Sequence, residues 1–267
     1  DPMRLKINHV TRYRFAEPAR FALQQIRKTP KSAHSQHVIE WRTDVTGGKW
    51  ELSFEDHHHN LTELISYDRD TTELEILCEG EVEIEDGHGI VGRHRGPVPL
   101  WHYLSPTPRT EARSGVRDLV RGMDMSDQLE GLHRLSAAIR EAVTYEVGAS
   151  EPSWSAEEAI EAGRGVCQDH SHIFIACARK LGIPARYASG YLMLNDRVSQ
   201  EAMHAWAEAH VEGLGWVGFD VSNGISPDTR YVRVATGLDY AEAAPVSGMR
   251  IGGGGEELDV RIDVAQQ

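Results

Sequence analysis

A chain of 267 residues can bury one large core or two ordinary ones, which suits an enzyme. With 40% apolar and 26% charged residues, and no run of roughly 18 to 20 consecutive apolar positions, nothing in it reads as a bilayer-crossing helix. A formal charge of −13 repels phosphate backbones, which excludes nucleic acid as a first-choice partner, and three scattered cysteines, Cys78, Cys167 and Cys177, are too few for a disulfide framework and are expected as reduced thiols.

The opening residues, DPMRLKINHVTRYRF, offer no apolar stretch to serve as a signal-peptide core. Met3 is read as the native start and the cytoplasm as the expected compartment. Up to about Thr107 the pattern is that of half-buried strands. Leu5, Ile7 and His9 alternate with Lys6 and Asn8, and Leu74, Ile76 and Cys78 alternate with glutamates before Val82 and Ile84. Turn clusters at Thr46-Gly47-Gly48 and Glu85-Asp86-Gly87 divide the runs, so a sandwich is expected. The histidines of EDHHHN, His57 to His59, are read as a solvated turn ending in Asn60.

Four prolines between Gly96 and Gly115 mark a boundary. Beyond it Leu129, Leu132, Leu135, Ile139 and Val143 recur at helical spacing. Ser155 is the expected N-cap of the next helix, with Glu157 and Glu158 in its first turn and an end near Gly163. A further helix starts at Cys167, buries Phe174, Cys177, Ala178 and Leu181, and stops at Gly182 before Pro184. Strands follow in ARYASGYLML, HAWAEAHVE, GWVGFDV and ELDVRIDV, the last reached through the flexible glycines 252 to 255. Residues 114 to 267 thus read as helices followed by an antiparallel sheet.

A cysteine at a helix start behind two glycines, as in GRGVCQDH, has the makings of an activated nucleophile. The helix dipole favours its thiolate, and Gly163 and Gly165 permit a sharp entry that leaves the sulfur and the first backbone N–H groups facing a substrate. An imidazole must come from elsewhere in the chain. Among fourteen histidines, His204 opens one expected strand while Asp220 closes the next, so adjacent antiparallel strands could bring them together. A zinc centre built from Cys167, His170, His172 and His204 is disfavoured, because the first three would project in different directions from one helix.

GRGVCQDHSHIFIACARKLGIPARYASGYL, HAWAEAHVEGLGWVGFDVSNG and GLDYAEAAP closely resemble the core of the bacterial transglutaminase-like superfamily, and HVTRYRFAEPA and EDHHHN resemble the β-rich domain that often precedes it. The resemblance implies an α+β fold: a papain-like transglutaminase core, residues 114–267, preceded by an N-terminal β-sandwich, residues 3–107. It implies Cys167 as nucleophile, His204 as base and Asp220 as the orienting acid. It further implies attack on an amide or peptide carbonyl, with the oxyanion held by the Cys167 backbone N–H and one of Gln168, Trp154 or Trp206. Relatives usually read Asp-Pro-Thr-Asn where this chain has Asp220-Val221-Ser222-Asn223, so a looser loop around the acid is expected.

The activity so implied is that of a protease or amidase acting on a protein or peptide through a thioester, needing no metal or organic cofactor. Transfer to an amine, as a protein-glutamine transglutaminase, is the alternative. The rival from another class is a protein-interaction module with a vestigial triad. Cys78 and Cys177 are expected as inert core thiols and His172 as packing beneath the site or bonding a backbone group. Asp169 and Glu208 are expected in solvated or structural salt bridges.

Overall fold

A computed structural model describes residues 1–267. The amino-terminal part supplies six strands: β1 (Met3–Ile26), β2 (Gln36–Thr46), β3 (Gly48–Glu55), β4 (Leu61–Tyr67), β5 (Thr71–Ile84) and the short β6 (Ile90–Gly92). A 3-10 turn at Leu100–Leu104 leads to α1 (Ser114–Val120) and α2 (Gln128–Ala142), then β7 (Thr144–Tyr145), α3 (Ala156–Ala162), β8 (Arg164–Gly165) and α4 (Cys167–Lys180). The remainder is β9 (Ala185–Leu192), β10 (Ser199–Gln200), β11 (His204–Val211), β12 (Gly215–Phe219), β13 (Tyr231–Gly237), α5 (Tyr240–Ala243), β14 (Val246–Gly252) and β15 (Glu256–Gln266). No helix is long and apolar enough to cross a membrane.

The long β1 organises the first unit. Its alternation is the one read from sequence, with Leu5, Ile7, His9, Thr11, Tyr13 and Phe15 buried. Its first half pairs with β5 on one side and β15 on the other, and its second half with β14 and β4. The β5 register breaks between Arg14 and Ala19, across Pro18, which has no N–H to give to a ladder. The strand therefore serves two layers, and one cluster unites them: Tyr13, Phe15, Ala22 and Ile26 from β1 meet Ile65 and Tyr67 from β4 and Leu74, Ile76 and Cys78 from β5.

The second unit is a five-stranded antiparallel sheet in the order β13-β9-β11-β12-β6, with α4 against β11 and β9. Ala205, Ala207 and Ala209 occupy alternate positions of β11 in the same core as Ile173, Phe174 and Cys177 of α4. Small side chains on the strand let the helix that carries Cys167 lie close to it. The α3 boundaries follow the local chemistry foreseen: Ser155 forms a capping box with Glu158, and Gly163 ends the helix at φ 69°.

The division into residues 3–107 and 114–267 is less clean than expected, because the two units exchange strands. β15, read as part of the second sheet, pairs along β1 from Leu5 to Phe15, and β14 joins the same sheet. In return β6 forms the edge of the second sheet beside β12. A period-2 pattern shows that a segment is half buried but not whose edge it completes, and β1 had an edge to fill. One core spans the seam, with Leu5, Ile7, Val82, Ile84, Ile262 and Val264 packed together with the helices.

Glu208 lies at the centre of the second sheet, fully buried, not in solvent. Its Oε1 accepts from Arg186 Nε at 2.7 Å on β9 and its carboxylate from Arg233 Nε at 2.6 Å on β13, while the Arg186 guanidinium stacks over Trp216 at 3.9 Å. Burial opposes ionisation of Glu208, but Arg233 and Arg186 outweigh it and hold the pKa down to about 2. The pair thus stabilises the fold above pH 4.5 and that contribution is lost as the pH falls toward 2. Glu208→Gln leaves two buried guanidinium groups uncompensated, and urea melts at neutral pH should show a loss of about 3–5 kcal/mol.

Candidate active site

α4 begins where its sequence dictates. Gly163 turns the chain out of α3, and Gly165 is packed so closely that an added Cβ would lie 2.7 Å from the Asp169 side chain. Asp169, buried and not solvated, accepts from the Val166 backbone N–H at 2.8 Å and from Ser150 Oγ at 2.6 Å. This satisfies one orphan donor of the helix start and fixes its direction. Cys167 is the first helical residue and is partly exposed, at the positive end of a fourteen-residue helix.

His204 is the first residue of β11, and Asp220 follows the last residue of the neighbouring β12. His204 Nε2 and Asp220 Oδ2 lie 2.7 Å apart, and the nearby Cys167 acts electrostatically on the His204 ring. With Nε2 committed to the carboxylate, Nδ1 is the nitrogen left for the thiol. Burial opposes the charge on His204, yet the adjacent Cys167 and Asp220 overcome it and push its pKa up to about 10. Of the three residues expected to converge, His204 and Asp220 meet directly through the 2.7 Å contact.

Asp220 is fully buried, and three donors converge on its Oδ2: His204, Asn223 Nδ2 at 2.7 Å and the Tyr231 hydroxyl at 2.5 Å. Burial pushes its pKa up, and these bonds more than offset that, holding it below the usual carboxylate value. The loop around it is not loosened by its unusual Val-Ser. Ser222 Oγ meets His170 Nδ1 at 2.7 Å, and His170 Nε2 meets the Val143 carbonyl at 2.8 Å. Asp220 and Ile225 close the loop through paired backbone bonds. Tyr231 gave no signal in the sequence, since it lies on a strand beyond the motif, whereas Asn223 was visible as its last residue.

His172 is fully buried and bonds a backbone group, accepting from the Tyr240 N–H at 3.1 Å. Both ring nitrogens of His170 are taken up by Ser222 and the Val143 carbonyl. Among the side-chain oxyanion candidates, Trp206 lies on β11 two residues beyond His204. Its indole N–H is buried without a hydrogen-bond partner, in a cluster with Ala188, Leu192 and Tyr231. The Gln168 side chain donates to the Pro152 carbonyl at 2.9 Å. Trp154 is half buried on the turn before α3, packed against the main core. The Cys167 backbone N–H stands at the helix start, where geometry leaves such donors without intrahelical partners.

Cys78 and Cys177 are fully buried, and burial pushes Cys78 up to about 11 and Cys177 up as well. Iodoacetamide at pH 6 is accordingly expected to label Cys167 at least tenfold faster than either, read by peptide mass spectrometry. Equal, slow labelling of all three would indicate a site without a reactive thiol.

A thiol at a helix N-terminus, an imidazole on an adjoining strand and a buried carboxylate orienting it, set in an α+β core, define a papain-like cysteine site. The pattern of the transglutaminase-like superfamily matches residues 117–221, which include all three triad residues, and that of the bacterial transglutaminase-like N-terminal region matches residues 5–83. The chain thus carries a transglutaminase-like core and, ahead of it, a bacterial transglutaminase-like N-terminal region. An uncharacterized protein of Mycobacterium leprae is 27% identical, the match covering 98% of this chain and 99% of that protein. An uncharacterized protein of Mycobacterium tuberculosis is 35% identical over 51% of this chain but only 47% of its own length. The fold is also that of a candidate cysteine protease from Cytophaga hutchinsonii solved by crystallography, with a TM-score of 0.79 at 22% identity, covering 100% of this chain and 91% of that one.

Proposed function

We propose that the protein is a cysteine protease or amidase that cleaves an amide bond in a peptide or protein through a thioester on Cys167. The observation that carries this reading is the His204–Asp220 contact of 2.7 Å, with Cys167 at the start of its helix near enough to act on the same imidazole. The Cys167 thiolate adds to the amide carbonyl, and the developing oxyanion is met by the Cys167 backbone N–H. Collapse of this intermediate breaks the C–N bond as the His204 imidazolium gives its proton to the departing amine. His204, now neutral, takes a proton from water as the water attacks the thioester, and the acid product leaves with the thiolate restored.

A cavity of about 620 Å³ offers room for a substrate beside the segment that leads into His204. It runs between β1, β14 and β15 of the first unit and the loop Glu201–Met203 that leads into His204. Three unpaired thiols support the cytoplasm as its compartment. The test is incubation with a broad peptide library, with and without a primary amine, followed by mass spectrometry. Fragments or deamidated products support hydrolysis. Amine adducts in their place would reassign the reaction to acyl transfer, and no product at all would favour an interaction module.

A further inference from the structure

The histidine turn read from sequence as solvated is so at His57 and His59 but not at His58. It follows β3, and while His57 is 55% exposed, the His58 side chain is completely buried. Both rings face Glu242 of α5. His57 Nε2 lies 3.1 Å from Glu242 Oε2, and His58 Nε2 lies 3.2 Å from Oε1, with all the ligand-capable atoms within 4.8 Å of one another. We propose that His57, His58 and Glu242 form a site for a divalent transition metal of zinc-like chemistry, separate from the triad.

Three observations support this. The first is spacing: nitrogen and oxygen ligands at about 2.0–2.2 Å around a tetrahedral ion stand roughly 3.3 Å apart, close to the separations seen. The second is an orphan. His58 Nε2 is buried and makes no properly directed hydrogen bond despite its nearness to the carboxylate, a costly arrangement that an ion between the two groups would repair. The third is the support around the ligands. His58 Nδ1 meets the buried Tyr103 hydroxyl at 3.0 Å, the kind of outer contact that orients a ligating imidazole, and Glu242 Oε1 accepts from the Leu238 N–H at 2.7 Å. Two imidazoles and one carboxylate suit zinc, cobalt or nickel, whereas calcium and magnesium require oxygen-rich shells. The exposed edge at His57 gives the ion a way in and leaves a coordination position for water.

The location gives the ion a structural role. Asn60, two residues beyond His58, exchanges hydrogen bonds with the Thr236 backbone at 2.8 and 2.9 Å, so the turn already docks on β13. A metal would add a bond from the first unit to α5, whose first residue, Tyr240, donates its N–H to His172 in the helix of Cys167. Ion binding would thus brace the segment that supports the nucleophile helix.

The test uses the full chain without an affinity tag, stripped with chelator, equilibrated with zinc, gel-filtered and assayed by elemental analysis. Roughly one zinc per chain is expected, falling at least tenfold in His58→Ala and in Glu242→Gln and unchanged in Cys167→Ala. Cobalt should give the visible absorption of a tetrahedral centre in the wild type and lose it in Glu242→Gln. Zinc should raise the melting temperature of the wild type but not of that variant. His57→Ala, at an exposed position, supplies the comparison if His58→Ala does not fold. No retained zinc in the wild type, or zinc lost only in Cys167→Ala, overturns the proposal.

Discussion

In Cys167→Ala, every product formed by the wild type is expected to disappear, with kcat falling by about 10⁴-fold or more. The remaining His204 and Asp220 can still orient a water molecule, but without the sulfur no thioester forms, and the route through two easier steps is closed. The fold should survive the change. Cys167 is a partly exposed first residue of α4, the backbone of the helix start is held by Asp169, and alanine is a good helix former. A melting temperature within a few degrees of the wild type therefore separates a chemical loss from a structural one. Turnover retained by a well-folded Cys167→Ala would remove the thiol from the mechanism.

The triad was legible because each member sits at the end of an element, and element ends leave local marks. Glycines before Cys167, the strand start at His204 and the Gly-rich turn before Asp220 are all short-range signals. The supports of the triad were not legible for the opposite reason. Tyr231 reaches Asp220 from β13, and His170 reaches Ser222 across 52 positions of sequence, contacts that exist only once the sheet and helix have packed. Burial was misjudged where polarity suggested water. His58 was read as part of a solvated turn, and Glu208 and Asp169 as members of solvated or structural salt bridges; each is buried because partners meet it: a tyrosine with a glutamate, two arginines, and a serine with a backbone N–H. The strand exchange between the two units was hidden as well, since alternation in β15 fits either sheet equally.

Asp220→Asn should be the second most damaging change, costing about 10²- to 10⁴-fold in kcat/KM. The carboxylate now does two things for His204: it fixes Nε2 as the protonated nitrogen and it stabilises the charged ring. An amide can turn its NH2 group toward Nε2, which selects the wrong tautomer, and it carries no charge. The sign of the pH effect follows from the balance at His204. Burial pulls its pKa down while Cys167 and Asp220 raise it to about 10, and the imidazolium that protonates the leaving amine exists only below that value. Removing the Asp220 charge lets burial gain, so the basic limb of kcat/KM, expected near pH 10 in the wild type, should move to lower pH in the variant. Tyr231→Phe keeps the carboxylate and loses one of its donors, so it should lower the rate far less and leave the tautomer unchanged. A basic limb that stays in place in Asp220→Asn, measured on the same peptide, would show that this carboxylate does not govern the charge on His204.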